Sequence, residues 1–130
     1  MPGRVGAGKT VLLADDDADL VDVLAARLRA GGYEVLCAHD GEEALRLATA
    51  ERPQVIILDL LMPKLDGNEV AQRLKAEPAT ATIPVMFLSG LGALLDADRT
   101  GRTPDGRRLL SKPIDAKKLL KLVEQVLAAG

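Results

Sequence analysis

Three acids, a hydroxyl and an ammonium stand at the ends of short apolar runs in this chain. Asp15 and Asp16 follow VLLA, Asp59 follows VIIL, Ser89 follows VMFL, and Lys112 follows LLS. Carboxylates brought together repel one another and call for a cation. An all-oxygen donor set that keeps some water suits magnesium, which prefers octahedral oxygen coordination. In such a site Asp16 and Asp59 are the direct ligands, the Leu61 backbone carbonyl is a third, and Asp15 acts through water. A metal beside a carboxylate screens the charge on an incoming phosphoryl group and makes the acid a usable nucleophile towards phosphorus. Lys112 and Ser89 are suited to hold the remaining phosphoryl oxygens. The chemistry these residue types favour is formation of an aspartyl phosphate, with Asp59 as the central acid.

The five positions meet only if the apolar runs that precede them end on one rim. Val11–Ala14 is a short apolar run. Residues 18–30 then set Leu20, Leu24 and Leu28 four apart, with Val23 alongside, as one helical stripe that Gly31 and Gly32 stop. A second apolar run lies within Glu34–His39. Asp40 with Glu43 has the capping-box spacing and opens a helix that Pro53 must end. Val55–Leu58 is continuously apolar, as in a strand buried on both faces. Asp66 with Glu69 repeats the capping signature, Val70 and Leu74 form the stripe, and Pro78 closes the helix. Pro84–Leu88 is a fourth apolar run and Leu109-Leu110 a weak fifth. Asp115 starts a last helix carrying Leu119, Val123, Val126 and Leu127.

Strands alternating with helices imply βαβ units, a parallel sheet and right-handed crossovers. The expected fold is a flavodoxin-like, doubly wound (βα)5 domain with a five-stranded parallel sheet in the order 2-1-3-4-5, over residues 10–130, after a flexible leader of residues 1–9. Ligands of such sheets bind outside the carboxyl ends of the strands, where the five residues are expected. Residues 91–108 fit the scheme least well. They should hold the fourth helix but contain Gly92, Gly101, Pro104 and Gly106, so a short helix over 93–99 and a loop are expected.

A second motif competes for attention. Residues Gly3 to Thr10, GRVGAGKT, match the phosphate-binding loop of nucleotide hydrolases. That loop needs a strand before it and a helix after it, so that amides and helix dipole face the phosphates. Only Met1 and Pro2 precede Gly3, and the strand-like VLLA follows Thr10. The order is inverted, and the match is coincidental.

Composition narrows the classes further. Of 130 residues, 48% are apolar, enough for one proper core, and the net charge of -2 offers no basic footprint for nucleic acid or membrane. Direct nucleic-acid binding is therefore not expected. Tyr33 and Phe87 are the whole aromatic complement, too few to stack bases. The single cysteine, Cys37, cannot form an internal disulfide, and a buried structural thiol in a reducing cytoplasm is the expectation. Neither a signal peptide nor a membrane span is present in the sequence.

The motifs VLLADDD, VIILDLLMPKLDG, IPVMFLSG and LLSKPID, in this order and at these spacings, make the chain resemble a bacterial response-regulator receiver domain over residues 10–128. The resemblance implies Asp59 as phosphoacceptor, Asp15 and Asp16 as the magnesium-holding pair, Ser89 as switch hydroxyl and Lys112 as the family's lysine. It further implies that Gly90 leaves room for a phosphodonor and that the Lys112–Pro113 bond is cis. The donor would be a histidine kinase or phosphotransfer protein, and the chain would be no enzyme beyond its own phosphorylation and dephosphorylation. If the chain is complete, its output runs through a protein partner; a fragment of a larger regulator is the other reading. One departure is Leu109, where the family usually has Tyr or Phe; the glycine-rich 91–108 stretch is another. Either the switch is shifted into residues 91–108, or Leu109 merely packs and Ser89 still moves.

Rival functions fit less well. A phosphorylation-independent pseudo-receiver would leave the clustered acids without use. A magnesium-dependent phosphatase would want an acid where Leu61 stands. Asp15, Asp17 and Asp19 hint at a calcium loop, yet Leu20 stands at its turn glycine and Ala26 at its twelfth position. His39, the only histidine, is expected at a surface or strand end.

Overall fold

The computed structural model describes residues 9–90, 108–111 and 114–129. Its elements are β1 (Thr10–Ala14), α1 (Ala18–Ala30), β2 (Glu34–Ala38), α2 (Gly41–Glu51), β3 (Val55–Asp59), α3 (Gly67–Ala76), β4 (Val85–Ser89), β5 (Arg108–Ser111) and α4 (Ala116–Ala129). All strands are parallel and lie in the order β2-β1-β3-β4-β5, the expected doubly wound sheet. Residues 1–8, 91–107 and 112–113 lie outside the described residues, so the leader, the short helix at 93–99, Lys112 and the Lys112–Pro113 bond do too. Arg108 already belongs to β5, and Thr10, last of the phosphate-loop look-alike, opens a strand rather than a helix.

The strand pleat sorts the core into two layers. Val11, Leu13, Val55, Ile57, Met86, Leu88 and Leu110 pack with α1 and α4, while Leu12, Ala14, Ile56, Leu58, Phe87 and Leu109 pack with α2 and α3. The central β3 is buried at every residue, which is why its sequence is apolar without alternation. Each fully buried Leu or Ile contributes about 1.5–3 kcal/mol by leaving water.

Side-chain caps set where the helices begin, and so where the strand ends open. Asp17, Asp40 and Asp66 accept from the N–H of Leu20, Glu43 and Glu69, at 3.1, 2.8 and 2.8 Å. The return bonds expected of a capping box differ between the two candidates. Glu43 reaches back one residue past the cap and accepts from the His39 N–H (2.8 Å), whereas Glu69 turns away to pair with Arg73 (3.0 Å). Helix α2 ends at Glu51, just before Arg52-Pro53, and the Thr80 hydroxyl donates to the Leu74 carbonyl at the end of α3 (2.6 Å).

Two expectations are corrected by the packing. Val23 is 61% exposed, because the buried stripe of α1 is Val21, Leu24, Ala25 and Leu28, the i, i+3, i+4, i+7 set. Cys37 is only half-buried: β2 is an edge strand, which leaves its residues less covered than those of β1 or β3. Arg29 Nη2 donates a long hydrogen bond to its sulfur, at 3.9 Å.

Candidate functional site

Strand register brings the acids together. Ala14 pairs with Leu58 and Asp59 with Leu88, so Asp15, Asp59 and Ser89 emerge side by side at the carboxyl ends of β1, β3 and β4. Asp15, Asp59 and Ser89 are all buried. The Asp15 N–H stays bonded to the Ala38 carbonyl (3.1 Å), extending the ladder with β2 by one residue, and turns the exposed Asp16 outward at the rim. Ligand oxygens of Asp15, Asp16 and Asp59 all lie within 4.8 Å of one another. Two of these acids are buried and the third is open to solvent, so a cation entering from water would meet the set from one side.

The same register carries β5 to this rim. Ser111 lies opposite Ser89, so β5 ends at the level of that residue; Lys112, the next residue, lies outside the described residues. Leu61 follows Asp59 by two residues. Its N–H donates to Asp59 Oδ1 (3.3 Å), which brings the Leu61 backbone to the acid, while its side chain is 57% exposed. A Cβ placed on Gly90 would meet no atom of the described residues within 4 Å. Leu109 is buried against the layer that holds Phe87 and Leu58.

Close spacing makes Gly67 part of the site's frame, a role the sequence reading passed over. A Cβ on this residue would lie 3.0 Å from the Asp59 carbonyl carbon and 3.1 Å from Leu60 Cα. Its N–H donates to the Leu60 carbonyl (2.9 Å), so α3 begins directly against the end of β3. The Asp66-Gly67 pair at the head of a helix was the signal available. On the same rim, after β2, the Asp40 carboxyl is held below its ordinary value of 3.8. The Glu43 N–H is the main cause; burial opposes it, and the Lys64 ammonium adds a lesser lowering.

The donor chemistry fits a small hard cation. Three carboxylates offer only oxygen, and the exposed one leaves a side open for water, as magnesium requires. His39 and Cys37 are no part of this set. Asp17 and Asp19, the other members of the calcium-loop hint, serve α1 as its cap and in its first turn.

Comparison with known proteins places the chain in a family. The profile of the response regulator receiver domain matches residues 11–124. The chain belongs to the receiver domain family. It is 38% identical over 117 residues to the DNA-binding dual master transcriptional regulator RpaA of Synechocystis, covering 90% of this chain and 48% of that protein. It is 39% identical over 120 residues to the probable transcriptional regulator ycf27 of Cyanophora paradoxa, covering 92% of this chain and 48% of the relative. Among solved structures, the receiver domain of the sensor histidine kinase PA1611 from Pseudomonas aeruginosa superposes with a TM-score of 0.80 at 28% identity. The match covers 94% of this chain and 99% of that domain, which carries a magnesium ion coordinated in its active-site cleft.

This receiver spans about half the length of the curated relatives it matches. That corrects the expectation of no direct nucleic-acid binding. The relatives are transcriptional regulators, one of them DNA-binding by name, and the charge of a receiver says nothing about the other half of such proteins. Among the described residues, no helix is long and apolar enough to cross a membrane.

Proposed function

We propose that this receiver accepts a phosphoryl group on Asp59 from the phosphohistidine of a kinase or phosphotransfer protein. The observation that carries the reading is the meeting of Asp15, Asp16 and Asp59 within 4.8 Å at the carboxyl ends of parallel strands, beside Ser89. An Asp59 carboxylate oxygen attacks phosphorus, the P–N bond breaks, and its electron pair leaves with the donor imidazole. Asp15, Asp16, Asp59 and the Leu61 carbonyl would hold magnesium, which supplies charge screening between carboxylate and phosphoryl group when bound. Ser89 and Lys112 bond the other phosphoryl oxygens, the hydroxyl by donating one hydrogen bond and the ammonium by charge. The exposed rim beside Gly90 admits the donor. The unit that does this is the domain over residues 10–130, and the chain performs only its own phosphorylation and dephosphorylation. Where the receiver is part of a longer regulator, the naming of its relatives supports an output on DNA; Asp59 phosphorylation would govern that output.

Intact mass after incubation with magnesium and acetyl phosphate tests the acceptor role. One phosphoryl adduct is expected, dependent on magnesium and absent from Asp59→Asn. A folded chain that takes no adduct from acetyl phosphate or from a phosphorylated kinase would instead be a phosphate-independent interaction module.

A further inference from the structure

Residues 60–66 join β3 to α3 and carry the Leu61 backbone past Asp59. The first end of this loop is tied to the sheet, where the Leu60 N–H donates to the Leu88 carbonyl (2.9 Å), and the second is tied to the first, where the Gly67 N–H donates to the Leu60 carbonyl (2.9 Å). Its apex rests elsewhere, on the first turn of α2. The Gly41 N–H donates to the Pro63 carbonyl (3.3 Å), and a Cβ on Gly41 would meet Leu65 Cβ at 2.5 Å and its carbonyl carbon at 2.7 Å. Only glycine lets the helix and the loop come this close.

Lys64 forms the other half of the contact. Its φ of 71° is left-handed, a conformation L-residues seldom adopt outside tight local constraint. Its ammonium lies 3.5 Å from Asp40 Oδ2 and 3.8 Å from Glu42 Oε1, the acids that open α2. Backbone bond, close glycine contact and ion pairs therefore act on three consecutive loop residues, Pro63, Lys64 and Leu65.

We propose that the first turn of α2 is a positioning element for the phosphoacceptor site, with Lys64 as the latch that holds the Leu61 backbone in place for a divalent cation. This rests on the acceptor role given above to Asp59. Magnesium demands near-ideal octahedral geometry, so a carbonyl ligand displaced by loop motion costs affinity. Charge alone argues for the opposite sign. Removing a cation from an acidic rim would strengthen the local negative potential and tighten magnesium binding. The direction of the change therefore separates positioning from simple electrostatics.

The test compares wild type, Lys64→Ala and Lys64→Arg by calorimetric magnesium titration, by the NMR shift of the Leu61 amide, and by melting without cation. Lys64 is exposed, so both variants should fold. Lys64→Ala is expected to weaken magnesium binding about three- to tenfold, the scale of one or two exposed ion pairs. The Leu61 amide should shift in Lys64→Ala and return in Lys64→Arg, with affinity restored. Unchanged or tighter magnesium binding in Lys64→Ala overturns the latch. So does a weakening that Lys64→Arg fails to rescue. If wild type neither binds magnesium nor takes a phosphoryl group from acetyl phosphate, the acceptor role fails and the latch falls with it. A wild type that does both beside an unaltered Lys64→Ala sinks the latch alone.

Discussion

Replacing Asp59 by Asn should stabilise this domain when no divalent cation is present. The side chains of Asp15 and Asp59 are both buried, and their ligand oxygens lie at most 4.8 Å apart. Two unit charges at 4.8 Å in an effective dielectric of about 20 repel by about 3.5 kcal/mol. Other interactions of each carboxylate offset part of this, so about 1–2 kcal/mol is the expected gain from neutralising one partner. Asn keeps the shape and still accepts from the Leu61 N–H through its amide oxygen. With an unfolding entropy of about 2.1 cal/mol/K per residue over 130 residues, the gain corresponds to about 4–7 °C in melting temperature. Thermal melts in EDTA and in excess magnesium measure it. Magnesium should raise the melting point of wild type by mass action and that of Asp59→Asn much less, narrowing or reversing the gap. An Asn variant that melts at or below wild type in EDTA would refute the claim that the acids are held together against their mutual repulsion.

Gly67→Ala should destabilise the domain by about 1–3 kcal/mol in urea unfolding, because its Cβ is forced against the Asp59 and Leu60 backbone. It should also slow phosphoryl uptake, and unchanged uptake would count against Gly67 as part of the site's frame. Leu109→Ala, in the core at 3% exposure, should cost about 2–5 kcal/mol; a cost below 1 kcal/mol would mean this position does not pack as described. Asp40 gives a pH dependence of known sign. Its carboxyl is lowered below 3.8 by the Glu43 N–H and by Lys64, so its stabilising effect is full above 3.8 and is lost as pH falls through the folded value. Asp40→Asn should flatten the acid limb of the stability curve, which denaturant midpoints across that limb will register.

Much of this architecture was legible locally. VIIL reads as a two-face buried strand because no polar side chain interrupts it, and Asp17, Asp40 and Asp66 cap helices through bonds spanning three residues. The acids, Ser89 and the end of β5 were locatable because strand ends in a doubly wound sheet share a rim. Where the reading slipped, the missing information was non-local. Val23 lies one residue from Leu24 yet faces solvent, since the sheet selects which arc of α1 is buried. Cys37 sits in an apolar run like that of β1, but edge position leaves it partly open. The expectation of no nucleic-acid binding was overturned by relatives twice as long that are named transcriptional regulators, because composition reports only on the residues it counts.

By itself the sequence determined the order of strands and helices, the caps that start the helices, and the residue types able to bind a hard cation and carry phosphate. These depend on apolar period, backbone donors and side-chain chemistry, all set within a few neighbours. Only the tertiary structure decided that Gly41 would face Leu65, that Gly67 would press on the Asp59 backbone, and that Lys64 would reach the acids of α2. Those contacts join segments distant in sequence, and close packing rather than any local propensity selects them.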